Sequence, residues 1–167
     1  MKRAETTIRL AHAVGKSAEE VSEWMTAIWN NFDNGTKSLE YYGDILARLG
    51  AETASSADEI AQGLSKFAAV AETVGLSYEY AASALATLTA ETRESADVVG
   101  TALKTIFSRM ESLSLGETLD DGTTLGKYSL ALQAVGVDIK DANGELKDMD
   151  QILDDTAAKW VTLSRDQ

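Results

Sequence analysis

Apolar residues recur along most of this chain at three- and four-residue spacing, the pattern that gathers them on one face of an α-helix. Ser17 with Glu19 and Glu20 reads as an N-cap and acidic first turn, and Val21, Trp24, Met25, Ile28, Trp29 and Phe32 follow on one stripe. Asn34-Gly35 breaks that helix near Asn31. Thr36 is placed to cap the next, whose Leu39, Tyr42, Ile45, Leu46 and Leu49 align before Gly50. A third is bounded by Ser56 and Gly75, with Ile60, Leu64, Phe67, Ala71 and Val74 as its stripe. Ser77 opens a fourth with a slimmer face of Ala81, Ala84, Leu85 and Leu88. Ser95 opens a fifth carrying Val99, Leu103, Ile106, Met110 and Leu113. Ile8, Ala11 and Val14 before Gly15 read as the tail of an earlier helix, and Leu125 to Val135 returns to helical spacing.

Two stretches depart from that pattern. The polar, glycine-punctuated run from Gly116 to Thr124 predicts a mobile loop. Val137 and Ile139 then alternate with polar residues before Asn143-Gly144, with Leu146 beyond, which predicts two short strands joined by a tight turn. Asp150 is placed to cap a last helix bearing Met149, Ile152, Leu153, Trp160 and Leu163. The expected fold class is therefore mainly α, a multi-helix bundle or array of about seven helices with one short β-hairpin near residues 137–147.

The same stretch is also the chain's densest collection of oxygen ligands, with Asp138, Asp141, Asn143, Glu145, Asp148 and Asp150 around Gly144. Placing Gly144 at the glycine position of a calcium-binding EF-hand loop puts Ile139 where the first ligand must stand and Asp150 where a bidentate glutamate normally closes the site. Isoleucine supplies no ligand, so the carboxylates read as caps and solvated edges, and no metal is expected.

Composition removes most other chemistry. There is no cysteine and one histidine, His12, so thiolate sites are excluded and histidine-based catalysis has little to work with. His12 flanks the apolar face begun by Ile8, with no nucleophile or orienting group to pair with it, and reads as a packed or half-exposed residue. Among 27 acidic residues no pair is singled out as acid and base. The expectation is a protein with no enzymatic activity and no cofactor. A net charge of -12, its excess lying beyond Gly50, disfavours specific nucleic-acid binding and suits a solvated helical surface. No apolar run approaches the ~20 residues that span a bilayer, and no signal-peptide core is visible near Met1.

Trp24, Trp29, Tyr41 and Tyr42 are candidate interaction residues because aromatics supply large contact area, although the helical spacing of the tryptophans favours the core. Gly100, Thr101 and Ala102 form a small-residue patch that permits close helix approach, within the domain or between copies. VGKSAEEV from Val14 and VGLSYEYA from Val74 share a spacing that helix-capping chemistry explains without duplication. Ser164 to Gln167 has the form of a capping box, which would open a further helix and marks the chain as a fragment of a longer protein.

Three blocks, in order, carry a family resemblance. The first is Gly75-Leu76-Ser77-Tyr78-Glu79 with Ala81, Ala82, Ala84 and Leu85. The second is Val99-Gly100-Thr101-Ala102-Leu103-Lys104 with Ile106 and Arg109. The third is Val135-Gly136-Val137, the Asp141-Ala142-Asn143-Gly144 turn, Leu146-Lys147-Asp148-Met149, and Trp160 through Leu163 to Gln167. With these, residues 54–167 resemble the core region of phage tail tape measure proteins of the TP901-like type, and residues 1–53 fit as an upstream helical portion of it. Within 54–167 the expected parts are helices, the polar loop 116–124, the hairpin 137–147 and a C-terminal helix 150–163.

The resemblance implies a structural component of a bacteriophage or prophage virion, which sets tail length as the tube assembles and leaves during genome ejection. It implies self-association and contact with tube, tail-tip and tail assembly chaperone proteins. Its location would be the tail lumen, and the host cytoplasm during virion assembly. It carries over no catalytic residue. The alternative is a free-standing helical adaptor or protein-interaction module.

Overall fold

A computed structural model of the protein describes residues 2–163, so the capping box expected at Ser164 to Gln167 lies outside the described residues. Eight helices follow in series: α1 (Lys2–Val14), α2 (Ala18–Phe32), α3 (Leu39–Glu52), α4 (Ala57–Thr73), α5 (Tyr78–Thr92), α6 (Ala96–Ser114), α7 (Leu125–Ala134) and α8 (Met149–Trp160). Serines open most of them. Ser17 accepts the Glu20 amide while Glu20 accepts the Ser17 amide at 3.1 Å, a reciprocal cap, and Ser77 and Ser95 accept the amides of Tyr80 and Val98.

Helix α4 runs through the middle of the bundle, packed by α2, α3, α5 and α6, with α1 laid across α2 and α3. Its apolar residues cover more than one face: Ile60, Ala61, Leu64, Phe67, Ala68 and Ala71 are all buried. One core cluster takes Val21, Met25, Ile28 and Trp29 from α2, Tyr42 and Leu46 from α3, Leu85 from α5, and Leu103 and Phe107 from α6. Phe67 and Phe107 lie 6.0 Å apart between α4 and α6.

Where α4 crosses α6, the two backbones touch. A Cβ built on Gly63 would lie 2.5 Å from the Ala96 carbonyl oxygen and 2.8 Å from a Leu85 methyl, and one on Gly100 would run into the Gly63 carbonyl. Neither position has room for a side chain without moving a helix axis. Gly100 thus serves the helix approach expected of it, inside the bundle, while its partner Gly63 stands in α4 among residues that the apolar spacing alone leaves unremarked.

The expected β-hairpin is absent. Among the described residues there is no strand; residues 137–147 hold a single isolated antiparallel bridge between Lys140 and Leu146. Two facts explain this. Val137 and Ile139 are buried against the helices, so their alternation reports anchoring to the bundle and not a sheet face. Side-chain oxygen also replaces strand pairing, since one Asp141 carboxylate oxygen accepts the amides of Asn143 and Glu145, each at 2.9 Å. The count of about seven helices is likewise corrected to eight among the described residues.

Two cap assignments also change. Ser38 caps α3 by accepting the Tyr41 amide, whereas Thr36 bonds back to Asn34. Asp148, not Asp150, occupies the N-cap position of α8.

The crossing yields a first expected outcome. Overpacking a close backbone contact costs about 1–3 kcal/mol, so Gly63→Ala should lower Tm by several degrees. Gly126→Ala, in the exposed first turn of α7, where a Cβ would meet the Thr124 hydroxyl oxygen at an ordinary 3.9 Å, should leave Tm unchanged or slightly raised. Thermal melts by circular dichroism compare the two.

Candidate interaction surface

Three of the four aromatic residues proposed from sequence, Trp29, Tyr41 and Tyr42, converge where the end of α2 meets the starts of α3 and α5. The Tyr42 ring lies 4.9 Å from that of Tyr78, and Phe32 lies 5.6 Å from Tyr78, both edge-to-face. Every polar tip in this knot finds an acceptor. The Tyr42 hydroxyl donates to the Phe32 carbonyl at 3.0 Å, Tyr78 to the Tyr42 carbonyl at 2.5 Å, and the Trp29 indole N–H to the Leu39 carbonyl at 3.4 Å. The Phe32 carbonyl belongs to the last turn of α2, where carbonyls lack helical partners, so the tyrosine closes that helix as well as filling the core. Burial, with Glu79 nearby, pushes the Tyr78 hydroxyl well above its ordinary pKa, which keeps it a neutral donor.

Trp29, Tyr42 and Gly100 are therefore interior residues. Trp24 and Tyr41 are half-buried; Tyr41 donates to the Glu79 carboxylate and carries the Lys37 ammonium 4.7 Å from its ring centre. Hydrogen bonding to Glu79 raises the Tyr41 pKa. Thr101 and Ala102 are exposed on α6, and the Thr101 hydroxyl returns to the Asp97 carbonyl of its own helix at 2.8 Å. His12 is exposed.

A wide apolar groove lies elsewhere, between α5 and α6 with α8 at one end. Tyr80, Ala84 and Leu88 form one wall, Ile106 and Phe107 the other, and Leu153 closes the end, enclosing about 710 Å³. Leu88 is 39% exposed and Ile106 is 49% exposed, although both fall on stripes whose spacing assigned them to helix faces in the core. Glu79 is the one charged residue among the described residues lining this groove. In a chain with net charge -12, that leaves the groove with little charge of its own to oppose another protein's approach. The available signal was the slimness of the α5 face: four small or aliphatic positions cannot cover both α4 and the outer half of α6.

The acidic cluster around Gly144 brings no ligand set together. Among the described residues no group of three or more histidines, cysteines, aspartates or glutamates is placed to hold a metal. Backbone hydrogen bonds from Glu145 and Asn143 hold Asp141 below the usual carboxylate range, as expected for a carboxylate that serves its own turn. Asp121 plays the corresponding part in the loop between α6 and α7. It accepts the Thr123 amide at 2.9 Å and pairs with Arg109, while Lys127 donates to the Gly122 carbonyl at 2.7 Å. Among the described residues no helix is long and apolar enough to cross a membrane.

A model of the phage-related minor tail protein family matches residues 1–167, the whole chain. Neither the curated proteins nor the solved structures contain a match.

The Asp121 tie sets a pH dependence. Hydrogen bonds from Thr123, and then Arg109, lower its pKa from 3.8 to about 2. A depressed folded-state pKa means that the stabilisation is present above the unfolded value and is lost as pH falls from about 4 towards 2. Protection factors of amides in residues 117–124, their exchange rates taken relative to an unstructured chain at the same pH, should therefore fall over that window in the wild type. In Asp121→Asn they should already be low at neutral pH and change less.

Proposed function

The chain belongs to the phage-related minor tail protein family, and from that structural role in a phage tail we propose that it is a segment of the tape measure protein, the part that sets tail length during tube assembly and leaves at genome delivery. The observation that carries this reading is the family match over residues 1–167, read together with the three ordered blocks between Gly75 and Gln167 that resemble the tape measure core. A helix-only scaffold with polar groups committed to caps and turns suits a mechanical part, and the proposal assigns it no catalysis and no cofactor. On this reading the segment resides in the tail lumen, and in the host cytoplasm during assembly. It meets further copies of itself, tube, tail-tip and chaperone proteins through its apolar groove, and the acidic surface weakens adhesion to DNA using the same channel. Residues 1–53 are the upstream helical portion and residues 54–167 the core region.

Deleting residues 1–167 in frame from the phage gene should shorten tails by up to about 250 Å, the span of that many residues at the helical rise of ~1.5 Å. Electron micrographs of negatively stained particles measure it, and tails of unchanged length would count against length setting by this segment. A second reading, a helical adaptor, draws support from the single core that α1 to α6 share with Ile139, Met149 and Ile152; it expects a lost attachment at unchanged length.

Leu88→Glu combined with Ile106→Glu tests the groove. Both side chains are substantially exposed, so Tm should move little. Concentration-dependent sedimentation of the wild type should give way to a monomer.

A further inference from the structure

We propose that residues 117–163, comprising the loop after α6, α7, the turn that follows and α8, form a strap that lifts from the α1–α6 bundle as one unit before the bundle itself unfolds. The inference rests on the fold alone and stands whether or not the segment measures tail length.

The strap is thinly anchored. None of the residues of α7 is buried, and α8 buries Met149 and Ile152 only; with Val137 and Ile139 these are the buried side chains of the strap. By comparison, α4 alone buries seven residues. Elements with few buried apolar contacts open at lower free energy than the core.

Ile139, Met149 and Ile152 reach the core cluster of the bundle, half-buried Leu125, Tyr128, Leu132 and Leu153 pack against it, and the polar anchorage gathers at the turn between α4 and α5. The Met149 amide donates to the Val74 carbonyl at 2.9 Å, and the Ser77 amide donates to both Asp150 carboxylate oxygens, at 3.0 and 3.2 Å. Ser77 is the N-cap of α5, so Asp150 places negative charge at that helix's N-terminus from 73 positions away. Gly75, at φ +75°, allows this seam to close, because any Cβ there would meet the Asp148 side chain at under 3 Å. Glu72, Lys147 and Asp148 line the same crevice, so closing it brings charges of both signs together.

Internal ties keep the strap whole when it lifts. The Val137 amide donates to the Leu132 carbonyl at 2.9 Å, the Lys147 amide to the Ile139 carbonyl at 3.0 Å, and the Lys147 ammonium bonds Asp155 at 2.7 Å. At the hinge end Arg109 pairs with Asp121. Opening takes Leu153 from the end of the α5–α6 groove and uncovers the half-buried Val74 and Met110 beside Met149. The strap is thus a built-in cover for apolar surface at the far ends of α4 and α6.

Hydrogen exchange of the whole chain, followed across urea concentrations below the unfolding transition, tests this. Amides of α8 and the 137–148 turn should exchange through an opening that depends on urea, but less steeply than the amides of α2 and α4. Asp150→Ala should speed exchange at least tenfold in the strap while α2 and α4 keep their rates. Convergence of strap and α4 amides on one urea dependence at every concentration would overturn the proposal. So would strap exchange indifferent to urea, which signals residue-by-residue fraying, or an Asp150→Ala effect spread equally over α2 and α4. Should that variant fail to fold, the wild-type urea series alone decides.

Discussion

The contact between Gly63 and Gly100 is the constraint on which the rest of the bundle depends. With no side chain at either position, α4 and α6 approach until backbone meets backbone, and the residues on either side are drawn into register. Phe67, one turn beyond Gly63, meets Phe107, two turns beyond Gly100, Leu85 of α5 closes over Gly63, and Leu103 joins the cluster around α4. A helix in the middle of a bundle must be apolar on several faces, and α4 achieves that with alanines and one glycine among larger residues, so that four neighbours fit round it.

The aromatic knot at the other end of α3 solves a different problem. Helix ends leave carbonyl groups without partners, and burying them would be unfavourable without donors. Tyr42 provides a hydroxyl donor to one such carbonyl, that of Phe32 at the end of α2, while Tyr78 donates to the Tyr42 carbonyl in the first turn of α3, and their rings fill the space between α2, α3 and α5. Packing and hydrogen-bond satisfaction are there the work of the same side chains. The acidic residues stay outside, at caps, in turns and on solvated faces, which is how a chain of net charge -12 can close around an apolar interior.

Much of this was legible in the sequence because it is local. Serine caps and apolar spacing located the helices from α2 to α6 and the turn at Asn143-Gly144, since both are decided within a few residues. Contacts across the chain were not legible. Val137 and Ile139 alternate as in a strand, yet their partners are helices; Asp150 looks like a cap for its own helix, yet reaches Ser77. Of the proposed interaction residues, Trp29 and Tyr42 carry the same large rings whether they face a partner or the core, and only the fold places them inside. Leu88 and Ile106 show the converse: their stripes are regular, but α5 is too narrow to cover them.

The connections within the bundle carry a last consequence. From α1 to α6 each helix follows the last after a handful of residues, and the most extensive packings, α4 on α6 and α2 on α4, skip a single helix, so partners in space lie within three successive helices. Chains of that kind fold fast, because little entropy is lost in bringing distant segments together. This one also contains no proline and no cysteine, and so lacks both prolyl isomerisation and disulfide exchange, two steps that commonly slow refolding to seconds or longer. A bundle so connected can be pulled apart and regain its shape in an instant, which makes its folded form a state the chain can afford to leave.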